Sequence, residues 1–279
     1  MNTARLPSRP EPARARAVTL LELLIAVSLT MLIILALYQM FSRTQRLMRG
    51  SIVAGDLTEN GRACLDMIRR ELETMAPAGS PLNPAPFITN VWIDTVTYST
   101  NAVRLGGGAA GGPPLISELH DIFFLGFDSS EQVTPRNWSA IGYRVADPAN
   151  ALLPVTNGVG TLYRFFTNST RANSNMVFLR DYITPPSMGM TNYFQRVADG
   201  VVHLTLRVLS NGLPMAGTNV TFRGTDSPSV VELEIGFLET PVYNEARGLS
   251  AVAASNYLAS RGAHVHFFRT LIPVRATPQ

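Results

Sequence analysis

Hydrophobic and polar positions divide the chain into two regimes. From Val18 to Phe41 the residues are almost continuously apolar, and from Leu23 to Leu37 nothing is more polar than Ser28 and Thr30. About 24 residues in a helix span roughly 36 Å, enough to cross a bilayer core of about 30 Å. Beyond Ser42 the continuous run becomes a stripe. Leu57, Gly61, Cys64, Ile68, Leu72 and Met75 recur at spacings of three and four, with Glu59, Arg62, Asp66, Arg69, Arg70 and Glu73 between them. Arg62–Asp66 and Arg69–Glu73 stand four apart, where opposite charges support a helix. Proline is absent from Ser42 to Met75, and Pro77 is a stop. The pattern predicts one helix from Val18 to Met75, apolar all round in its first half and amphipathic in its second. Gly50, Gly55 and Gly61 are weak points where it could bend.

After Pro77 the period shortens toward two. Strands are predicted at residues 91–98, 120–127, 139–145, 161–166, 175–182, 201–209, 229–238 and 264–275. In the run 229–238, Val231, Leu233 and Ile235 face one way while Glu232 and Glu234 face the other, as in a half-buried antiparallel strand. The alanine-rich stretch from Asn244 to Arg261 reads as helix, and the glycine-rich stretch Leu105 to Leu115 as a flexible loop. The fold class expected is α+β, a long N-terminal helix packed on an antiparallel β-rich domain. Its divisions are 1–17 ahead of the apolar run, 18–41, 42–76 and 77–279.

Charge sharpens this picture at one end only. All 23 basic residues are arginine, and four of them (Arg5, Arg9, Arg14, Arg16) precede Val18 beside one acid, Glu11. Without that segment 23 − 4 = 19 basic residues face 20 − 1 = 19 acidic ones, so the formal charge of +3 belongs to the N-terminus. A neutral remainder argues against a nucleic-acid surface. By the positive-inside rule the leading arginines hold the near end of the helix in the cytoplasm, while Arg43, Arg46 and Arg49 mark its far end. The single cysteine, Cys64, excludes an intrachain disulfide and reads as a small apolar member of the stripe.

One residue does not fit a plain membrane anchor. Glu22 lies within the apolar run, where an ionisable group near a helix centre costs roughly 2.5–3.5 kcal/mol. The run is also too long for a secretory signal peptide and lacks an A-x-A-like site near its end. The segment "AVTLLELLIAVSL" resembles the type IV prepilin signal, in which a small residue precedes the cut and a glutamate occupies mature position five. That resemblance implies cleavage between Ala17 and Val18, and recognition by the prepilin peptidase and subunit assembly through Thr19, Leu20, Leu21 and Glu22. Alanine stands where glycine is usual, and valine where phenylalanine or methionine is usual. It also implies a new, N-methylated amine at Val18, four residues before Glu22. A nearby opposite charge favours the ionised carboxylate and offsets its desolvation, and the macrodipole of the helix start acts in the same sense.

The stretches "LTENGRACLDMIRREL", "TLYRFF…RVADGVVHLTLRVL" and "SPSVVELEIGFLE…FFRTLIPVR" are similar to the larger minor pilins, both W-type minor pilins and J-type pseudopilins. The resemblance implies a single-pass inner-membrane protein with a periplasmic C-terminal domain. Its partners would be the prepilin peptidase, other minor pilins or pseudopilins, and an inner-membrane assembly platform. The rival class is a signal-anchored periplasmic enzyme or receptor. Its candidates are sparse: His264 and His266 could share a strand face and reach a metal, but the spacing alone is weak. Asp128 and Asp226 could meet calcium, with no EF-hand spacing to support it. No nucleophile elbow, H-E-x-x-H or C-x-x-C motif is present, so no catalytic residue, cofactor or metal is expected.

Overall fold

A computed structural model describes residues 19–75, 89–95, 104–105, 115–127, 137–170, 178–183, 193–210, 212–215, 219–224 and 226–274. The chain divides into two units, 1–52 and 53–279. Helix α1, Leu20–Glu73, runs through both. In the first unit it is long and apolar enough to cross a membrane, and none of its apolar stretch is buried. Leu24, Leu32 and Ile33 are each more than half exposed. The hydroxyls of Ser28 and Thr30 bond within the helix: Ser28 donates to the carbonyl of Leu24 at 2.8 Å and Thr30 to that of Ala26 at 2.7 Å. Neither of these donors is thereby left to face an apolar medium.

The second unit is a curled, half-barrel antiparallel sheet. In chain order its strands are β1 (Thr89–Thr95), β4 (His120–Phe127), β5 (Asn137–Ala146), β6 (Gly160–Thr170), β7 (Phe194–Ser210), β8 (Leu213–Pro214), β9 (Asn219–Arg223), β10 (Val230–Leu238) and β11 (Val265–Pro273). A separate two-stranded ladder pairs β2 (Arg104–Leu105) with β3 (Leu115–Ile116). The main order is β11-β10-β7-β6-β5-β4-β1-β9, with β8 paired to the end of β7. β7 is long enough to have three neighbours along one edge. It meets β6, then the start of β4 through a bridge between Leu119 and Leu204, then β8.

One face of the sheet receives the second half of α1. Ile68 and Leu72 are fully buried there against Ile122, Phe124, Ile141, Leu204 and Leu233. Leu57, Gly61, Cys64, Ile68, Leu72 and Met75 are all buried, whereas Glu59, Arg62, Asp66, Arg69, Arg70 and Glu73 are exposed, as the period predicts. Of the two charge pairs, Arg69–Glu73 closes at 3.0 Å, whereas Arg62 and Asp66 form no ion pair. The opposite face is covered by α2 (Phe178–Ile183), whose Phe178 and Tyr182 join Trp92, Phe123 and Phe165. Helices α3 (Thr240–Ala246) and α4 (Ala251–Ala259) close the end of the sheet near Val202 and Leu238.

Three expectations are corrected. The run 175–182 is not a strand where it is described; Phe178–Ile183 is helical. Its buried aromatics stand four apart, a spacing that suits both a helix face and alternate strand positions, and packing against the sheet decides between them. The predicted helix from Asn244 to Arg261 is two helices. α3 starts earlier, at Thr240, and Ser250, extended at φ −65° and ψ 158°, begins α4. Gly61 is no hinge: a Cβ there would come within 2.3 Å of the Phe268 ring of β11, so its hydrogen lets helix and sheet approach. β8, two exposed residues, has no apolar alternation to read, and β9, although Val220 and Phe222 alternate with polar neighbours, is too short to stand out from the sequence. Residues 96–98, 106–114 and Pro77 lie outside the described residues.

The glycines give a direct test. Gly61→Val should destabilise the fold by about 1–3 kcal/mol through overpacking. Gly55→Ala, with nothing within 4 Å of the added methyl, should stabilise it by about 0.5–1 kcal/mol. Denaturant unfolding of the full chain in detergent, followed by tryptophan fluorescence, reads both.

Candidate functional site

The residues singled out by the prepilin resemblance fall at the start of α1. Ala17 and Val18 lie outside the described residues. Thr19 is the residue before the helix, and its carbonyl accepts the first helical bond from Leu23 at 3.2 Å. Its hydroxyl accepts the Glu22 backbone N–H at 3.3 Å, while Glu22 Oε2 accepts the Thr19 N–H at 3.1 Å and the Thr19 hydroxyl at 3.2 Å. This is a reciprocal capping box, formed by a threonine and a glutamate three residues apart. It satisfies two helix-start donors and places a carboxylate at the positive end of the helix dipole. Leu20 and Leu21 are 77% and 68% exposed, outside any core. Thr19 and Glu22 are therefore brought together within one chain, an arrangement legible in the T-x-x-E spacing.

Partly or fully buried polar side chains gather at several places among the described residues of the globular unit. The first holds α1 to the sheet. Glu71 accepts from the Tyr143 hydroxyl and from Arg164, whose Nε lies at 2.8 Å and terminal nitrogen at 2.7 Å. Arg164 also stacks over Phe166 with its guanidinium carbon 4.7 Å from the ring centre. Burial, with the Glu71 charge beside it, drives the Tyr143 hydroxyl far above its ordinary range, so it remains a donor. Glu71 escaped the sequence reading although it stands seven after Cys64 and fourteen after Leu57, on the stripe itself.

The second lies beneath α2 on the other face. Arg144 is fully buried, 3.3 Å from Asp121, donates to the Tyr182 carbonyl at 2.8 Å and sits 4.2 Å over the Tyr182 ring. Burial pushes the Asp121 carboxyl up to about 7, against the pull of Arg144. The third comprises the histidines. His203 Nδ1 accepts the Glu118 N–H at 3.1 Å, and His120 Nδ1 accepts the Leu206 N–H at 3.2 Å. Desolvation lowers both imidazoles, His203 to about 4, so both are neutral at pH 7. His264 and His266 meet at one carboxylate, Glu239, at 3.0 and 3.2 Å. His264 ends a 3₁₀ turn and His266 is the second residue of β11, so the shared partner, rather than a shared strand face, joins them. Among the described residues no group of three His, Cys, Asp or Glu side chains is arranged to hold a metal ion. Asp226 sits at an exposed turn after β9, and Asp128 lies outside the described residues. Burial pushes the Cys64 thiol up to about 11, which leaves it protonated and unreactive at neutral pH.

Comparison of the chain with protein-family models, with curated proteins and with solved structures finds no match.

The buried groups carry opposite pH signatures. Folded Asp121 holds its proton to about pH 7, whereas the unfolded carboxyl titrates near 3.8. The folded state then binds more protons between these values, so this residue's contribution to stability falls from about pH 4 to about pH 7 and is level above. His203 acts in reverse, since burial holds its imidazole at about 4, below its ordinary range. The stability of wild type minus that of Asp121→Asn, from melting temperatures across pH 4–9, should decline to about pH 7 and then flatten. A difference independent of pH would contradict the assignment.

Proposed function

We propose that the protein is a minor pilin-like or pseudopilin subunit, a single-pass inner-membrane precursor with its β-domain in the periplasm. In this reading the prepilin peptidase cuts between Ala17 and Val18, the new amine is N-methylated, and the subunit enters a pilus or secretion pseudopilus as part of a tip or initiating complex. Its work is assembly and adaptor binding to other minor pilins and the assembly platform. The chemistry belongs to the peptidase that acts on it, with no cofactor and no nucleic acid. The supporting observation is the Thr19–Glu22 pair at the head of an apolar helix that buries nothing in its own chain. A helix with 0% of its apolar window buried needs lipid or other helices around it. Glu22 keeps one carboxylate oxygen, Oε1, without a partner among the described residues, and a neighbouring subunit's amine would complete it.

Glu22→Ala tests this. Membrane insertion should be unchanged, because removing a charge from an apolar run eases it. Incorporation into sheared filaments, or crosslinking to neighbouring minor pilins, should fall by about tenfold or more, equivalent to about 1.4 kcal/mol. Normal incorporation would refute the charge-pairing role.

A further inference from the structure

β6 pairs with β7 only as far as Val201. Beyond that point the edge of β7 is taken by the residues that lead from β3 into β4, with Leu119 bridging to Leu204 in parallel. Hydrogen bonds tie this segment down. The Ser117 hydroxyl donates to the Val202 carbonyl, and the Leu204 N–H donates to the Glu118 carbonyl at 2.9 Å. A parallel ladder continued one step back would give the Glu118 N–H to the Val202 carbonyl. Here it goes instead to a side chain, His203 Nδ1, at 3.1 Å. His120 Nδ1 completes the set by accepting the Leu206 N–H at 3.2 Å.

An imidazole nitrogen accepts only while it lacks a proton. With Nδ1 of His203 accepting, the proton of the neutral ring sits on Nε2, which faces Thr205 Oγ1 at 3.5 Å and Glu234 Oε2 of β10 at 3.9 Å. The ring is buried and walled in. It lies edge-on to Phe267 of β11 with centres 5.6 Å apart, and it stands opposite Gly236, where an added Cβ would come within 3.0 Å of the His203 Cβ. Glu234 attracts a second proton, whereas burial, Arg207 and the His120 ring oppose it, and the opposing set prevails. The Glu118 carboxylate is engaged 3.5 Å from Arg207 and 3.8 Å from His120, and Arg269 of β11 by Glu232. His120 differs from His203. Its Nδ1 lies between the N–H and the carbonyl of Leu206, at 3.2 and 3.3 Å, so a protonated ring donates to the carbonyl and keeps the contact.

We propose that Ser117–His120 is a clasp released by acid through His203: a proton on Nδ1 removes the acceptor of the Glu118 N–H, sets two donors against each other, and detaches the segment from β7 over Val202–Leu204. Release uncovers the edge of β7 past the end of β6, a row of backbone groups open to pairing with another strand. At neutral pH the ring is uncharged and the clasp is closed. The closed ring takes its second proton only near pH 4, whereas a ring freed to solvent takes it near 6.5. The open form thus binds more protons between these values, so falling pH draws the segment open across that window and has no further effect below it.

Hydrogen–deuterium exchange of the full chain in detergent, normalised to the intrinsic rate at each pH, reads the clasp directly. Peptides carrying the Glu118 and Leu204 amides should lose protection by about tenfold or more between about pH 6.5 and about pH 4.5. A peptide over Val231–Ile235 of β10 should stay protected throughout. His203→Gln offers a carboxamide oxygen as acceptor but does not titrate, so its Glu118 peptide should keep the same protection across the range. Nitrogen-15 shifts of the wild-type imidazole should place the ring proton on Nε2 at pH 7. The proposal is overturned if wild-type protection at Glu118 is independent of pH, or if His203→Gln opens with acid as the wild type does. It is equally overturned if β10 loses protection together with the segment, or if Nδ1 carries the proton at neutral pH.

Discussion

The contact between the second half of α1 and the inner face of the sheet is the constraint on which the globular unit depends. A curled sheet with both faces apolar cannot remain in water, and α1 supplies the cover for one of them. Ile68 and Leu72 reach zero exposure in that contact. Glu71 adds direction to it, because the helix must be rotated correctly for one carboxylate to meet both Tyr143 of β5 and Arg164 of β6. Apolar burial supplies the larger share of the free energy, while the charged hydrogen bonds select one register of helix on sheet. The close approach at Gly61 belongs to the same contact.

The other face solves its covering problem differently. A short helix, too short to be stable alone, is held by aromatic packing around a buried guanidinium. Arg144 meets a carboxylate, a carbonyl and two aromatic faces, so the cost of taking its charge out of water is offset from several sides. The two faces are thus stabilised by different chemistry, and β7, shared by both, absorbs the mismatch through its bulges.

Much of the fold was legible in the sequence, and the failures share a physical cause. The stripe from Leu57 to Met75 was readable because helix period and burial coincide over five turns. β10 was readable because Val231, Leu233, Ile235 and Phe237 make one face consistently apolar, and β4 because Ile122 to Leu125 form a short apolar run. The run at Phe178–Ile183 was misread because a spacing of four serves two periods, and only the neighbouring sheet chooses. Glu71, Arg144 and Tyr243 were not singled out, since a buried polar residue announces itself through partners that are distant in sequence. Glu22 was legible for the opposite reason: its partner, Thr19, is three residues away, and its surroundings are uniformly apolar.

The proposed assembly requires the apolar helix to begin at a processed terminus. The direct measurement is the intact mass and N-terminal sequence of the protein isolated from its own membrane. Under the proposal the chain starts at Val18 and carries one methyl group on its amine. A chain that retains Met1 or Asn2 would contradict it, leave Glu22 as a helix cap alone, and return the β-domain to the class of anchored enzymes and receptors.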